Sequence, residues 1–439
     1  MSPVLLRTCG LALLCLFTLD TWAMSGAETA DALNLRLADT PEQCAANQPD
    51  YACSGVLARP LAQTHAQNFW EHDAAASQRG SETFNYLRSD LPAASLQEKT
   101  GFILMNRFEA MAQEKEYDVH ARPQPDTVEV SNWDATVPGK VAIQALYYRL
   151  GAPGALGRGQ RHQLAWYRAT GEWLPLLRYL PDDTLTPFGF AQQEQLFEGY
   201  AVASRINARF ADTAPTCDDG TSRYHCNGVW VRTTDVGNFR AWNPSPSSIR
   251  ANGVSFSFFA ADMKVTRTYK AQGFIMLPSG TPTQQRLSLR CIYPFDNGTS
   301  GPPNICTFKG TCAALGIVTA QQWLNRYRST PNESCAFGTD ASSFQLISDI
   351  RSTNVTGRLA WNESMMAAWP SNVPASLPLE AFIYSLTYDV SGQGLAGGRR
   401  FQRDYHADTG TGYLPLLRFD PAAPNGQLVT YRPEDQHFE

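Results

Sequence analysis

Apolar positions in this chain fall into short alternating runs set between turn formers, with few long helical stripes. GVLAR (Gly55 to Arg59), TFNYLR (Thr83 to Arg88), GFILM (Gly101 to Met105) and IQALYY (Ile143 to Tyr148) are aromatic and β-branched and predict strands. The polar stretch after Gly154, RGQRHQLAWYRATG, carries sparse apolar positions and predicts a short amphipathic helix ending near Gly171. LPLLR (Leu174 to Arg178) then reads as a further strand. The same strand, helix, strand order recurs around RRFQRDYHADTG, with a stop near Gly410. Pro187 to Phe210 is apolar-periodic with good helix formers and predicts a linking helix. The fold class this implies is α+β, with sheet order left open.

The runs come twice. YACSGVLAR (Tyr51 to Arg59) returns as YHCNGVWVR (Tyr224 to Arg232), and Trp70 stands twenty residues before Asp90 as Trp242 does before Asp262. FNYLRSD (Phe84 to Asp90) matches FSFFAAD (Phe256 to Asp262), and GFILM matches GFIML (Gly273 to Leu277). VAIQALYY (Val141 to Tyr148) matches LPLEAFIY (Leu377 to Tyr384), and TGEWLPLLRYLP (Thr170 to Pro181) matches TGYLPLLRFDP (Thr411 to Pro421). Such blocks in one order mark a tandem duplication. Copy one spans 40–183, the linking helix 184–212, and copy two 213–422 with an insertion at about 284–360; 423–439 is a C-terminal tail. An insertion of this kind is expected in surface loops or a lid.

Residues 1–25 read as a secretory signal: Arg7 is the lone basic residue before an 11-residue apolar core from Cys9 to Leu19, and small residues follow at Thr21, Ala23 and Ser25. The core is too short for a bilayer span, which needs ~20 residues. Export places the chain outside the cell or in a periplasm. Its removal leaves Cys44, Cys53, Cys217, Cys226, Cys291, Cys306, Cys312 and Cys335. The nine-residue spacing of the first two pairs predicts bridges 44–53 and 217–226, then 291–306 and 312–335. A zinc site is the competing reading, but no C-x-x-C pair exists and the seven histidines are scattered, so no metal is expected. With 36 basic against 41 acidic residues there is no basic footprint for nucleic acid.

Walker A, H-E-x-x-H and EF-hand signatures are absent, and Ser391 lacks the glycine two residues earlier that a nucleophile elbow needs. GQGLAG (Gly392 to Gly397) imitates a dinucleotide fingerprint but reads better as a strand-to-helix turn. The duplication offers a sharper filter. Arg59 and Arg232 both end a strand; Ser255 and Ser257 replace Thr83 and Asn85; Glu380 replaces Gln144. Copy two alone therefore holds Arg, Ser-x-Ser and Glu in order.

Cys226 to Arg232, Ala241 to Ser248 with Gly253 to Phe258, Cys291 to Asp296 and Leu377 to Tyr384 make the mature chain resemble the halovibrin family, secreted bacterial proteins that are ADP-ribosyltransferase-like or NAD glycohydrolases. The ordered Arg, Ser-x-Ser, Glu set is also similar to the NAD-binding pattern of cholera-toxin-type transferases. The resemblance implies NAD as substrate, with no separate cofactor, and a host protein as a conceivable acceptor. Arg232 would clamp the pyrophosphate, Ser255 and Ser257 would brace the nicotinamide pocket, Trp242 or Tyr384 would stack on a ring, and Glu380 would be the catalytic carboxylate stabilising oxocarbenium charge. Arginine-modifying transferases of that type carry a second acid two residues before the glutamate; Pro378 stands there, which favours hydrolysis over transfer. Structural roles remain open for each residue: a strand-end arginine pairs with a nearby acid, serines on a solvent face need no function, and Glu380 can blunt a sheet edge. A different class is also open, a non-catalytic module gripping host glycans or proteins through Trp70, Trp133, Trp166, Trp173 and Trp242.

Overall fold

The computed structural model describes residues 26–38, 54–61, 69–70, 81–88, 96, 100–105, 118–121, 126–131, 143–234, 242–277, 288–295, 306–307, 310–330, 335–353, 361–367, 369, 377–386, 394–410 and 413–438. The first half runs α1 (Gly26–Ala38), β1 (Val56–Pro60), β2 (Ser81–Leu87), β3 (Thr100–Met105), β4 (Asp118–Ala121), β5 (Thr127–Ser131), β6 (Ala145–Arg149), α2 (Ala155–Thr170), β7 (Leu176–Tyr179) and β8 (Phe188–Phe190). The second half runs α3 (Glu198–Ala211), β9 (Val229–Thr233), α4 (Pro246–Arg250), β10 (Val254–Phe259), β11 (Gln272–Met276) and β12 (Leu289–Tyr293). It continues with α5 (Ala320–Ser329), α6 (Ala341–Ser352), β13 (Glu363–Met366), β14 (Leu379–Ser385), α7 (Gly394–Thr409), β15 (Leu416–Phe419) and β16 (Val429–Tyr431).

Each half forms one eight-stranded sheet, in the orders β4-β5-β2-β1-β3-β6-β7-β8 and β12-β13-β10-β9-β11-β14-β15-β16. The second order is the first with eight added to every number, so the fold is α+β and tandemly duplicated. Pairing is antiparallel except between β6 and β7 and between β14 and β15, which α2 and α7 join as crossovers. Strand alternation sorts consecutive residues to opposite faces. Leu57, Phe84, Phe102, Leu146 and Tyr148 meet Trp166 of α2, whereas Val56, Ala58, Ile103, Ala145 and Tyr147 meet Leu33 and Leu37 of α1. Both faces are therefore buried, one under each helix.

Local chemistry repeats with the fold. α2 and α7 stop at Gly171 (φ 79°) and Gly410 (φ 65°), whose amides donate to the carbonyls of Tyr167 and His406. A Cβ at Gly159 would lie 2.7 Å from Leu176, and one at Gly398 2.5 Å from Leu416, so each helix sits down on its crossover strand through a glycine. The glycine-rich run near Gly392 thus includes a packing requirement that both copies share.

Three boundaries differ from the sequence reading. Pro187–Phe210 is not one helix: Phe188–Phe190 pairs with β7, completing the first sheet, and the helix begins at Glu198. That helix packs on β16 as α1 packs on β8, so it opens the second repeat instead of linking two. Asn34 brackets Phe188 with two backbone hydrogen bonds, and Asn207 brackets Val429 in the same way. Residues 423–439, expected as a tail, supply the edge strand β16. The inserted chain lies between β12 and β13, because β12 occupies the sheet position of β4.

The insertion is no loose lid. Its helices contribute Trp323, Phe344, Ile347 and Ile350 to the core of the second repeat. The Arg351 guanidinium donates to the backbone carbonyls of Met263, Pro294 and Lys264, and Ser348 donates to Asp262 at 3.0 Å. Bridges 291–306 and 312–335 clamp it, and 217–226 closes the loop before β9. The pair Cys44 and Cys53 lies outside the described residues. Asp340 caps α6 by accepting from the Ser343 amide at 2.9 Å. Partial burial opposes its ionisation, but hydrogen bonds from Ser342 and Ser343 outweigh this and hold the carboxyl at about 2. A depressed carboxyl stabilises the fold above its unfolded pKa and loses that contribution as pH falls through the folded value. Acidification from ~4 toward 2 should therefore loosen α6 in the wild type, and Asp340→Ala should flatten that step in a circular-dichroism titration.

Candidate functional site

Buried polar groups fall into those duplicated and those unique to one repeat, and the first kind are structural. Tyr148 donates to Glu194 at 2.7 Å while Arg178 forks onto the same carboxylate at 2.6 Å. Tyr384 donates to Asp435 at 2.7 Å, with Arg418 at 2.8 Å. Burial first, then the carboxylate contact, holds both phenols well above the ordinary tyrosine range. Beside each triad the side-chain amide of Gln195 or Gln436 pairs with both backbone groups of Leu176 or Leu416, extending the sheet as a neighbouring strand would. Gln163 and Gln402 donate to these amides at 3.0 Å. Tyr384 was expected to stack on a ligand ring; it is instead a buried tether for the last turn of its repeat. Tyr384→Phe should lower stability by about 1.5–3 kcal/mol, the range for a hydrogen bond to a charged group, and leave ligand affinity unchanged by calorimetry.

The informative difference lies at the strand-end arginines. Arg59 and Arg232 occupy one sheet position, opposite Phe102 and Phe274 on the neighbouring strand. Arg59 meets Glu82 at 3.0 Å, with side chains only 6% and 4% exposed. In the second sheet the residue equivalent to Glu82 is Val254, itself fully buried. Arg232 has no ion pair among the described residues. One long hydrogen bond of 3.4 Å joins its Nη2 to the Asn243 carbonyl, and its guanidinium lies 5.7 Å over the Trp369 ring. The residue keeps some surface, yet Nη1 is sealed from solvent without a partner among the described residues. Burial draws the guanidinium down to about 10, still cationic at neutral pH.

The other expected site residues do not converge on Arg232. Pairing of Ser257 with Val231, and of Phe258 with Trp230, puts Ser255 and Ser257 on the opposite face of the sheet from Arg232. Both hydroxyls are occupied: Ser255 donates to Glu363 at 2.8 Å and Ser257 to the Asn362 carbonyl at 2.9 Å. Glu380 accepts from Arg205 of α3 at 2.7 Å, so its carboxylate is engaged by a cation other than Arg232. Trp242 is wholly buried against Phe382 and Tyr405, as Trp70 is against Trp166, so neither ring can receive a ligand. Period-two alternation alone separates an arginine from a serine pair that sequence order had set side by side. The change that isolates Arg232 is not a polar residue gained by copy two but an acid lost, Glu82 to Val254.

No protein-family model matches the chain, and no curated protein matches it. The architecture and its cysteines define a class all the same: a disulfide-bonded α+β protein built from two copies of one eight-stranded unit. Its bridges fit an oxidising compartment, extracellular or periplasmic. Among the described residues no helix is long and apolar enough to cross a membrane.

Proposed function

We propose that this is an exported binding protein whose second repeat captures a ligand bearing a phosphate or pyrophosphate group, with Arg232 as the clamp. NAD is the ligand that the halovibrin resemblance suggests. One observation carries the reading: the same arginine is neutralised by Glu82 in the first repeat and has no carboxylate partner among the described residues in the second, where Val254 stands at the acid's place. An uncompensated guanidinium out of water is costly unless an anion joins it, and its planar fork suits a phosphate. In the first repeat Glu82 acts as a built-in surrogate for that anion.

Support for cleavage is weaker than support for binding. Breaking a nicotinamide–ribose bond needs a carboxylate beside the reacting carbon, and Glu380 is engaged with Arg205. For a glycan-gripping module, Trp70, Trp166 and Trp242 are buried and unsuited, while Trp173 is half-buried and stacks on Tyr167 at 4.2 Å; Trp133 lies outside the described residues.

The test is calorimetric titration of the intact mature protein with inorganic pyrophosphate, ADP-ribose and NAD, with nicotinamide release followed in parallel. Arg232→Ala should weaken binding roughly 10- to 100-fold, the worth of about 1.5–3 kcal/mol for a charged hydrogen bond, while Arg59→Ala should leave it alone. Wild-type protein that ignores all three anions overturns the proposal. Nicotinamide release that vanishes in Glu380→Gln would restore the hydrolytic reading.

A further inference from the structure

A cavity of about 290 Å³ opens between the two repeats. The first repeat supplies Gln160 and Leu196; the second supplies Val202 and Arg205 from α3, Leu379 and Glu380 from β14, and Tyr431 from β16. Its size lies at the small end of ligand pockets, ~300–1,000 Å³. Its wall combines apolar side chains and glutamines with two carboxylates and a guanidinium: Glu198 accepts from Gln192, while Arg205 Nη2 and Glu380 Oε2 form an ion pair at 2.7 Å.

This pair is peculiar to the second repeat. The matched asparagines Asn34 and Asn207, which bracket the edge strands identically, align α1 with α3 and set Ala32 opposite Arg205. Gln144 stands opposite Glu380. Both charges are therefore present in the one copy whose α3 and β14 face the cavity, and both are absent from the other. Stability alone gives little reason for them, because the side chains are 51% and 29% exposed and such exposed pairs contribute little. For the same reason the two charges separate readily.

We infer that this cavity is a site for a free amino acid with an apolar side chain. The ligand's α-carboxylate takes the Arg205 fork, its α-ammonium takes the Glu380 carboxylate, and its side chain lies against Val202, Leu379 and Tyr431. A zwitterion replaces one internal ion pair by two and leaves no charge unpaired, which a ligand with a single charge cannot do. The inference does not depend on the anion site at Arg232, which does not line this cavity.

Titration of the intact mature protein with leucine and phenylalanine tests it, alongside their N-acetyl and C-amide derivatives. The free amino acids should bind, capping either end should weaken binding at least 10-fold, and Arg205→Ala and Glu380→Gln should each do the same with melting temperature nearly unchanged. Saturating pyrophosphate should not compete. Absence of binding by either free amino acid, equal binding of the capped forms, or full affinity in both variants would overturn the inference.

Discussion

Glu82→Gln is expected to destabilise the protein by about 3–5 kcal/mol, the usual consequence of removing one partner of a buried ion pair. The Arg59–Glu82 contact is 3.0 Å long, and neither side chain is more than 6% exposed. The amide keeps the shape of the carboxylate, so no cavity forms; what is lost is the charge that allows Arg59 to remain cationic away from water. Replacing Arg59 and Glu82 together by Met and Leu should recover most of the loss, because a well-packed apolar pair needs no compensation. Urea denaturation of the single and double variants gives the comparison. A single variant within experimental error of wild type would mean that water reaches the pair and that the contrast with Arg232 is weaker than the burial indicates.

The reciprocal change should have the largest effect on ligand affinity. Val254→Glu places in the second repeat the acid that neutralises Arg59 in the first, on an equivalent backbone and beside an equivalent arginine. The new carboxylate competes with any ligand anion for the guanidinium and repels it as a like charge, a juxtaposition worth several kcal/mol. Affinity for pyrophosphate should fall roughly 100-fold or more. Stability should hold, since Arg232 gains a partner in the unliganded state. Pyrophosphate binding that survives Val254→Glu would place the anion elsewhere on the molecule.

Both experiments rest on a comparison that the sequence made available and only the sheet made legible. The repeats, the strand runs, the helices ending at Gly171 and Gly410, and the cysteine pairs among the described residues follow from local pattern. Each depends on nearby chain: alternation, a left-handed glycine, or a cysteine loop closed over 9 to 23 residues. The ends of the repeats were misplaced because β8 and β16 are three-residue strands, too short for a period to register. Their strand character comes from pairing with β7 and β15.

Site residues divide along the same line. Arg232 could be singled out from sequence because it recurs at a strand end. That no acid faces it among the described residues could not be read there, because the partner of Arg59 lies on another strand, twenty-three residues away in the chain. Ser255 and Ser257 were grouped with it by order alone, and their hydrogen bonds to Glu363 and Asn362 come from a strand more than 100 residues distant. Trp242 and Tyr384 read as ligand platforms until the helices covered them.

The sequence by itself determined that this is a duplicated α+β protein, where its strands and crossover helices fall, and which cysteines join among the described residues. Those features are set by contacts within a few residues or by repetition of a whole pattern. Tertiary structure alone decided which face each side chain occupies, which charges are neutralised and where the repeats enclose a cavity. Electrostatic compensation acts through space across neighbouring strands, and the distance along the chain between an arginine and its acid carries no record of it.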